Sequence, residues 1–443
     1  MTEKVTKLAV TSRVMVLLLQ WLANVMITDH KTQVFRAPFD KTHKITWLDK
    51  MINTFFGGLR HWDGEYFLHI AQYGYSYENT LAFYPLYPLM VGYSGRMLHC
   101  IAKECLTLRS CCLLMAVVLN VIMFCKAASL LYQVTQRIFN DATKSWHAVL
   151  LFCFNPASIF FAAAYSETLF AVMTLYVMLE SVMELRFIRC SVPLALSFVT
   201  RSNGLVNMGF PLYFLIRKSV LRANHGFFSA LKIICILLLS LIPATIFNFY
   251  EFQQFCNPHM SIKHSAEVVD YAREKYYILA GHRQHKQSPW CEATLPFPYS
   301  YVQTHYWDVG FLKYYQLKQL PNFLIALPVL GFLMWHCFLY LKHFTCNLLP
   351  RYPLQQLLKE YKTLPFVLHA LILCLVCAAF VHIQIATRLL CSASPCLYWF
   401  AADYLPKSFD KLRLRSRGAL IIIWFAAYSV IGCLLFSNNF PWT

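Results

Sequence analysis

GALIIIWFAAYSVIGCLLF, residues 418–436, carries no charged side chain. At 1.5 Å of rise per residue it is long enough to cross the hydrocarbon core of a bilayer as one helix. Apolar runs also lie at 14–27, 111–133, 146–164, 167–184, 188–200, 204–216, 227–249, 321–341, 364–385 and 391–404. Of the 443 residues, 58% are hydrophobic and only 14% charged, against about 25% charged in a soluble domain. An ordinary soluble protein is excluded. The expectation is an all-α polytopic membrane protein, a single integral membrane domain over 1–443 with about eleven transmembrane helices.

The first run follows Lys4, Lys7 and Arg13, and no small-residue cleavage site follows it. It reads as a signal anchor and first span. The segment LAFYPLYPLMVGY (81–93) has two prolines three residues apart, so 81–100 is expected to form a re-entrant or interfacial hairpin rather than a span.

Lysine and arginine number 39 against 21 acidic residues, a net charge of +18. On a soluble chain that balance would suggest nucleic-acid binding, but here the cations mark short turns. They are Arg137 and Lys144; Arg186 and Arg189; Arg217, Lys218 and Arg222; Lys342, Arg351, Lys359 and Lys362; and Lys407, Lys411, Arg413, Arg415 and Arg417. Excess positive charge in short loops faces the cytosol. The N-terminus is therefore expected in the cytosol, and 28–80 and 251–320 form two large loops on the opposite side.

The 17 cysteines form no secreted-type framework. Many, such as Cys111, Cys112, Cys125 and Cys235, lie inside apolar runs and read as small hydrophobes. Cys374 and Cys377 form a C-x-x-C there without a second pair at zinc spacing. Pairing of the loop cysteines Cys256 and Cys291 is left open.

Five polar clusters fall on the expected non-cytosolic edge: HWDGEY (61–66), YSE (165–167), TRSNG (200–204), YWD with KYY (306–308 and 313–315), and Gln384 with Arg388. Ionisable groups at membrane depth are costly and point to function. Each has a plainer reading too. Asp63 and Glu65 suit a helix start, Trp62 and Tyr66 an interfacial aromatic belt, and Glu167 a turn. Arg201 and Arg388 suit snorkelling to head groups, and Gly64 and Gly204 suit turns. His61, His69, His305 and His382 lack metal-ligand spacing and read as structural. Their shared side outweighs these separate readings.

No Walker A, G-x-G-x-x-G, H-E-x-x-H or G-x-S-x-G motif is present. A candidate base, stackable aromatics and cations able to face an anion suit group transfer between membrane-bound substrates. A lipid-linked phosphosugar would bring its own leaving group. A transporter or flippase of a lipid-linked sugar, and a non-catalytic scaffold subunit, are the rival classes.

HWDGEYFLHIAQYGYSYENTLAFYPLYPL (61–89) resembles the first luminal loop of the GPI mannosyltransferase 2 family, the class V phosphatidylinositol-glycan proteins, with its W-D-G-x-Y-F core. The resemblance continues in FNPASIFFAAAYSETLF (154–170), TRSNG (200–204), YWDVGFLKYY (306–315) with PNFLIALP (321–328), and QIATRLL (384–390). It implies a GT-C-type glycosyltransferase of the endoplasmic reticulum membrane with a luminal active site and re-entrant or amphipathic luminal helices. It further implies dolichyl-phosphate mannose as donor and transfer of the second mannose, in α1,6 linkage, to a GPI-lipid acceptor.

The resemblance also implies a β-linked donor and an α-linked product, and hence one inverting displacement. On that basis Asp63 is expected as general base, and Arg201 and Arg388 as ligands of the lipid phosphate. Glu65 is expected to position the acceptor, with help in holding a divalent cation as the lesser alternative. Trp62, Tyr66, Trp307 and Tyr314 are expected to stack on sugars, and Glu167 and Asp308 to meet acceptor hydroxyls. Asn203 and Gln384 complete the expected substrate contacts. No metal ligands or nucleic-acid partner are expected, and an accessory membrane subunit is left open.

Overall fold

The structure is a computed structural model that describes residues 2–32, 34–39, 44–183, 186–221, 226–281, 288–408, 410 and 412–442. Arg222 and Lys411, two of the expected cytosolic cations, lie outside them. Among the described residues every regular element is helical, and one isolated antiparallel bridge joins Tyr77 to Leu279.

The first half runs α1 (Thr2–Met26), α2 (Trp47–Phe56), α3 (Asp63–Tyr73), α4 (Leu86–Ala102), α5 (Leu108–Phe139), α6 (Ala142–Cys153), α7 (Glu167–Val182), α8 (Phe187–Phe198) and α9 (Gly209–Leu221). The second half runs α10 (Gly226–Cys256), α11 (Ala266–Lys275), α12 (Pro298–Trp307), α13 (Leu320–His343) and α14 (Leu354–Glu360). It ends with α15 (Leu364–Ala379), α16 (Ala386–Ala393), α17 (Cys396–Ala402) and α18 (Arg417–Phe436).

Five segments are single helices long and apolar enough to cross a membrane: Thr2–Met26, Leu108–Phe139, Ala230–Cys256, Leu317–Leu348 and Arg417–Phe436. On α10, Leu231, Ile234, Leu238, Ile242, Ile246 and Phe249 are all exposed at helical spacing. An apolar stripe turned outward on an otherwise packed molecule is the signature of a hydrocarbon surrounding.

The other six of the eleven expected spans are shorter or broken. The run at 146–164 stops at Asn155-Pro156. There the Asn155 side-chain oxygen accepts from the Ala157 N–H at 2.9 Å, and a 3-10 turn (Ser158–Phe161) follows. Pro395 separates α16 from α17. The run at 204–216 opens as a 3-10 turn (Ser202–Met208) before α9, and α7, α8 and α15 are also short of a full crossing. A helix can break at membrane depth only where protein satisfies the freed backbone. Arg13 does so here: fully buried, it donates to the carbonyls of Cys153 and Ser158, each at 2.8 Å. The sequence reading took Arg13 for a flanking charge, and it is a core residue.

The 81–100 stretch is not a hairpin. Pro85 caps α4 and Pro88 sits in its first turn, where a missing N–H costs nothing. The helix then runs unbroken to Ala102. A Cβ on Gly92 would lie 2.6 Å from the Ala71 carbonyl, so α4 packs tightly on α3 only because residue 92 is glycine. Leu89, Tyr93, Met97 and Ile101 form an exposed apolar stripe along α4. Trp47, Met51 and Phe55 form another along α2. The start of α2 carries a capping box between Thr46 and Asp49.

Above the helices, the two long loops make a cap held by one buried carboxylate. Glu78 accepts from Ser288, from the Trp290 indole at 2.9 Å and from Tyr306 at 2.8 Å. Cys256 and Cys291 are disulfide-bonded, which settles the pairing left open above. At the opposite end, Lys144 meets Asp403 at 2.5 Å, and Arg217 donates to the carbonyls of Leu358 and Lys359. The basic turns thus gather roughly 24 Å from Glu167, the length of the sixteen-residue α7.

Candidate active site

The site begins with a strained residue. Trp62 has φ 57° and ψ −122°, a conformation that costs a bulky L-residue about 1–3 kcal/mol. Tyr165 clamps it from both sides. Its hydroxyl donates to the His61 carbonyl at 3.2 Å and accepts the Asp63 N–H at 3.1 Å. Tyr165 is itself held where Asn120 donates to the carbonyls of Ala163 and Tyr165. The turn so fixed starts α3 with Asp63 as its first residue.

From Asp63 an alternating chain of charges runs inward. Arg388, at the start of α16, donates to Asp63 Oδ2 at 2.5 Å and lies 3.5 Å from Glu167 Oε1. Arg201, after α8, reaches the same Glu167 oxygen at 2.5 Å. The carboxylate of Glu167 is fully buried, whereas that of Asp63 is 31% exposed. The Arg388 guanidinium also lies 5.1 Å from the Tyr165 ring and 5.2 Å from the Phe160 ring, which favours a cation there. Two carboxylates and two guanidiniums balance, so the cluster is neutral as a whole.

Asp63, Arg201 and Arg388 face a cavity of about 450 Å³, which Asn203 and Trp307 also line. The side-chain nitrogen of Asn203 has no hydrogen-bond partner among the described residues. Gly204 permits this wall, because a Cβ there would lie 2.4 Å from the Ser197 carbonyl oxygen.

Several expected site residues lie elsewhere. Glu167, expected to meet acceptor hydroxyls, is instead fully buried behind the two arginines and does not line the cavity. Tyr66 is stacked between Phe35 and Phe83, with ring centroids at 4.1 and 4.6 Å, and does not face the cavity. Glu65 does not pair with Asp63: two residues along a helix turn its side chain by about 200°, and it faces a second cavity with Trp62. There it meets Arg60 at 3.3 Å and Arg109 at 3.2 Å. Asp308 caps α12 with φ 51° and pairs with exposed Lys313 at 2.9 Å. That bond holds its carboxyl below the usual range. Tyr314 donates to Gln319, and Gln384 sits on a 3-10 turn (Ile383–Ile385) beside the wall. Among the described residues no three His, Cys, Asp or Glu side chains could jointly hold a metal ion.

Sequence reasoning named Trp307 at the end of α12 but missed the rest of that helix as a wall of the site. Tyr299, Ser300, Gln303, Thr304 and Trp307 all line the cavity. Their spacing of i, i+1, i+4, i+5 and i+8 is one helix face, a signal present in PYSYVQTHYW (298–307). His382 lines the cavity as well.

Residues 2–443 match the family described as Mannosyltransferase (PIG-V). The chain is 50% identical, over 454 aligned residues, to GPI mannosyltransferase 2 of Drosophila melanogaster, with all of both chains covered. It is 33% identical, over 506 aligned residues, to GPI alpha-1,6-mannosyltransferase 2 of Homo sapiens, covering all of this chain and 98% of the human one. GPI mannosyltransferase 2 of Schizosaccharomyces pombe is 25% identical over 391 aligned residues, covering 86% of this chain and 72% of the yeast one. No solved structure matches.

Proposed function

We propose, from the premise that the chain belongs to the PIG-V family of mannosyltransferases, that it adds the second mannose, in α1,6 linkage, to a GPI-anchor precursor, drawing on dolichyl-phosphate mannose. The observation that carries this reading is the Asp63–Arg388–Glu167–Arg201 chain on a sugar-sized cavity. It sets a partly exposed carboxylate beside two cations, the pairing that an inverting displacement on a sugar phosphate requires.

In the proposed step, the acceptor hydroxyl oxygen attacks the anomeric carbon of the donor mannose. Asp63 takes the hydroxyl proton as the new bond forms. The bond from that carbon to the phosphate oxygen breaks, and its electron pair leaves with dolichyl phosphate. Arg388 serves both ends of the event. As Asp63 gains a proton its hold on Arg388 weakens, just as the departing phosphate gains charge. Arg201 supplies the second cation, since a guanidinium can grip phosphate with two N–H groups. Glu167 keeps both arginines in place and neutralises them before substrate arrives.

The architecture under this proposal is of the GT-C type, in the endoplasmic reticulum membrane. The six shorter apolar segments complete eleven passes alongside the five long helices. Gathering of the basic turns at the end remote from Asp63 supports a cytosolic N-terminus and a luminal site. The deciding experiment supplies purified protein with labelled dolichyl-phosphate mannose and the single-mannose precursor. A two-mannose product cleaved by an α1,6-specific mannosidase is expected. Accumulation of a different intermediate in cells lacking the protein would move it to another step.

A further inference from the structure

On the far side of α3 from Asp63 lies a second cavity, of about 190 Å³, lined by Arg36, Arg60, Arg109, Glu65, Asp29 and Trp62 among others. Three guanidiniums face two carboxylates there. Glu65 is already fully engaged: it accepts the Ala37 N–H at 3.0 Å and meets both Arg60 and Arg109. Asp29 is 52% exposed. The indole N–H of Trp62, buried in the wall, has no hydrogen-bond partner among the described residues. The cavity therefore holds more donors than acceptors. Its cations also oppose one another, since Arg60 feels the repulsion of both Arg109 and Arg36. A cluster of like charges held together beside a void lacks its counter-charge.

The cavity is built in advance of any ligand. Its wall includes Val34, Phe35, Arg36 and Ala37. That strand of chain is pinned by the Glu65 bond at Ala37, by the Arg109 bond to the Ala37 carbonyl, and by stacking of Phe35 on Tyr66.

We propose that this cavity is a phosphate subsite for the acceptor, holding the phosphodiester of the glycolipid while Asp63 addresses its sugar hydroxyl from the other side of α3. The inference rests on the glycolipid-acceptor reading given above. Geometry selects the acceptor over the donor. The donor's phosphate is bonded directly to the carbon under attack, so it belongs in the Asp63 cavity with Arg388 and Arg201. Only the acceptor carries a phosphate separated from the reacting hydroxyl by intervening sugars. Asp63 and Glu65 lie two residues apart on one helical turn, so a single short glycan can span both cavities.

The test uses the purified full-length protein and the variants Arg36→Gln and Arg60→Gln. Arg36 is exposed and stands outside the Glu65 bonds, so its substitution spares the pinned wall. The expected result is an acceptor KM raised about tenfold, the effect of losing one charge-assisted hydrogen bond, with donor KM and kcat within about twofold. Inorganic phosphate should inhibit the wild type competitively against acceptor, and this inhibition should weaken in Arg36→Gln, whereas any competition against donor at Arg388 and Arg201 should be the same in both proteins. If Arg60→Gln fails to fold, Arg36→Gln and the phosphate inhibition still decide. An unchanged acceptor KM with no competitive inhibition overturns the subsite, and a raised donor KM overturns its assignment to the acceptor. Either result leaves the glycolipid reading standing, whereas a wild type that transfers no mannose to the glycolipid sinks that reading itself.

Discussion

Replacing Asp63 with asparagine tests the catalytic reading most directly. The change keeps the shape and an oxygen for Arg388 to bond, and it removes the charge and the basicity. General-base assistance contributes about 10²–10⁴-fold, or roughly 3–5 kcal/mol of barrier. The cost to folding should be far smaller. Asp63 is part-exposed, and Arg388 retains Glu167 at 3.5 Å, so no buried cation is stranded. A pair of this exposure contributes about 1 kcal/mol. Steady-state transfer from dolichyl-phosphate mannose, measured beside the melting temperature in detergent, separates the two costs. Loss of the base lowers kcat by at least about a hundredfold with donor KM nearly unchanged. If Asp63 only orients Arg388, donor KM rises instead while kcat largely survives. A variant that folds normally and keeps kcat within about tenfold of wild type would refute the base assignment.

Arg388→Lys and Arg201→Lys preserve charge but lose the planar fork, so donor KM should rise about tenfold in each; unchanged donor affinity in both removes them from the phosphate. Gly204→Ala forces a methyl against the Ser197 carbonyl. It should cost roughly 1–3 kcal/mol in denaturation experiments and lower activity by displacing Arg201. Asp49 gives a pH signature. Burial pushes its carboxyl up, but hydrogen bonds from Ser110, Thr107 and Thr46 outweigh this and bring it to about 2. A depressed carboxyl stabilises the fold above its unfolded value near 4 and stops doing so as pH falls through about 2. The melting-temperature gap between wild type and Asp49→Asn should therefore be full at neutral pH and close toward pH 2.

Much of the site was legible because ionisable residues are scarce in this chain and each needs a reason to sit at membrane depth. Asp63 and Arg388 are 325 positions apart in sequence, yet both stood out beside apolar runs, and they meet. What could not be read was direction. Asp63 and Glu65 looked like one acidic pair, but the helix that starts at Asp63 sends them to opposite sides. Arg13 looked like a topology mark because it precedes an apolar run. Its true partners are the carbonyls of Cys153 and Ser158, on either side of the break at Asn155-Pro156 and some 140 positions along the chain. Apart from Trp307, the α12 face was missed for a different reason. Its polar and aromatic mixture resembles a solvated loop until helical spacing is imposed on it.

The apolar stripes of α2 and α4 lie on the helices before and after α3, which starts at Asp63. Both proposed substrates are lipids, tethered to the same leaflet, so their encounter is a search over a plane rather than through a volume. The quantity that governs turnover is then the mole fraction of each lipid in the bilayer. Adding inert phospholipid at fixed amounts of enzyme and substrate would slow the enzyme by surface dilution alone, and any KM for this protein is best expressed per unit of membrane.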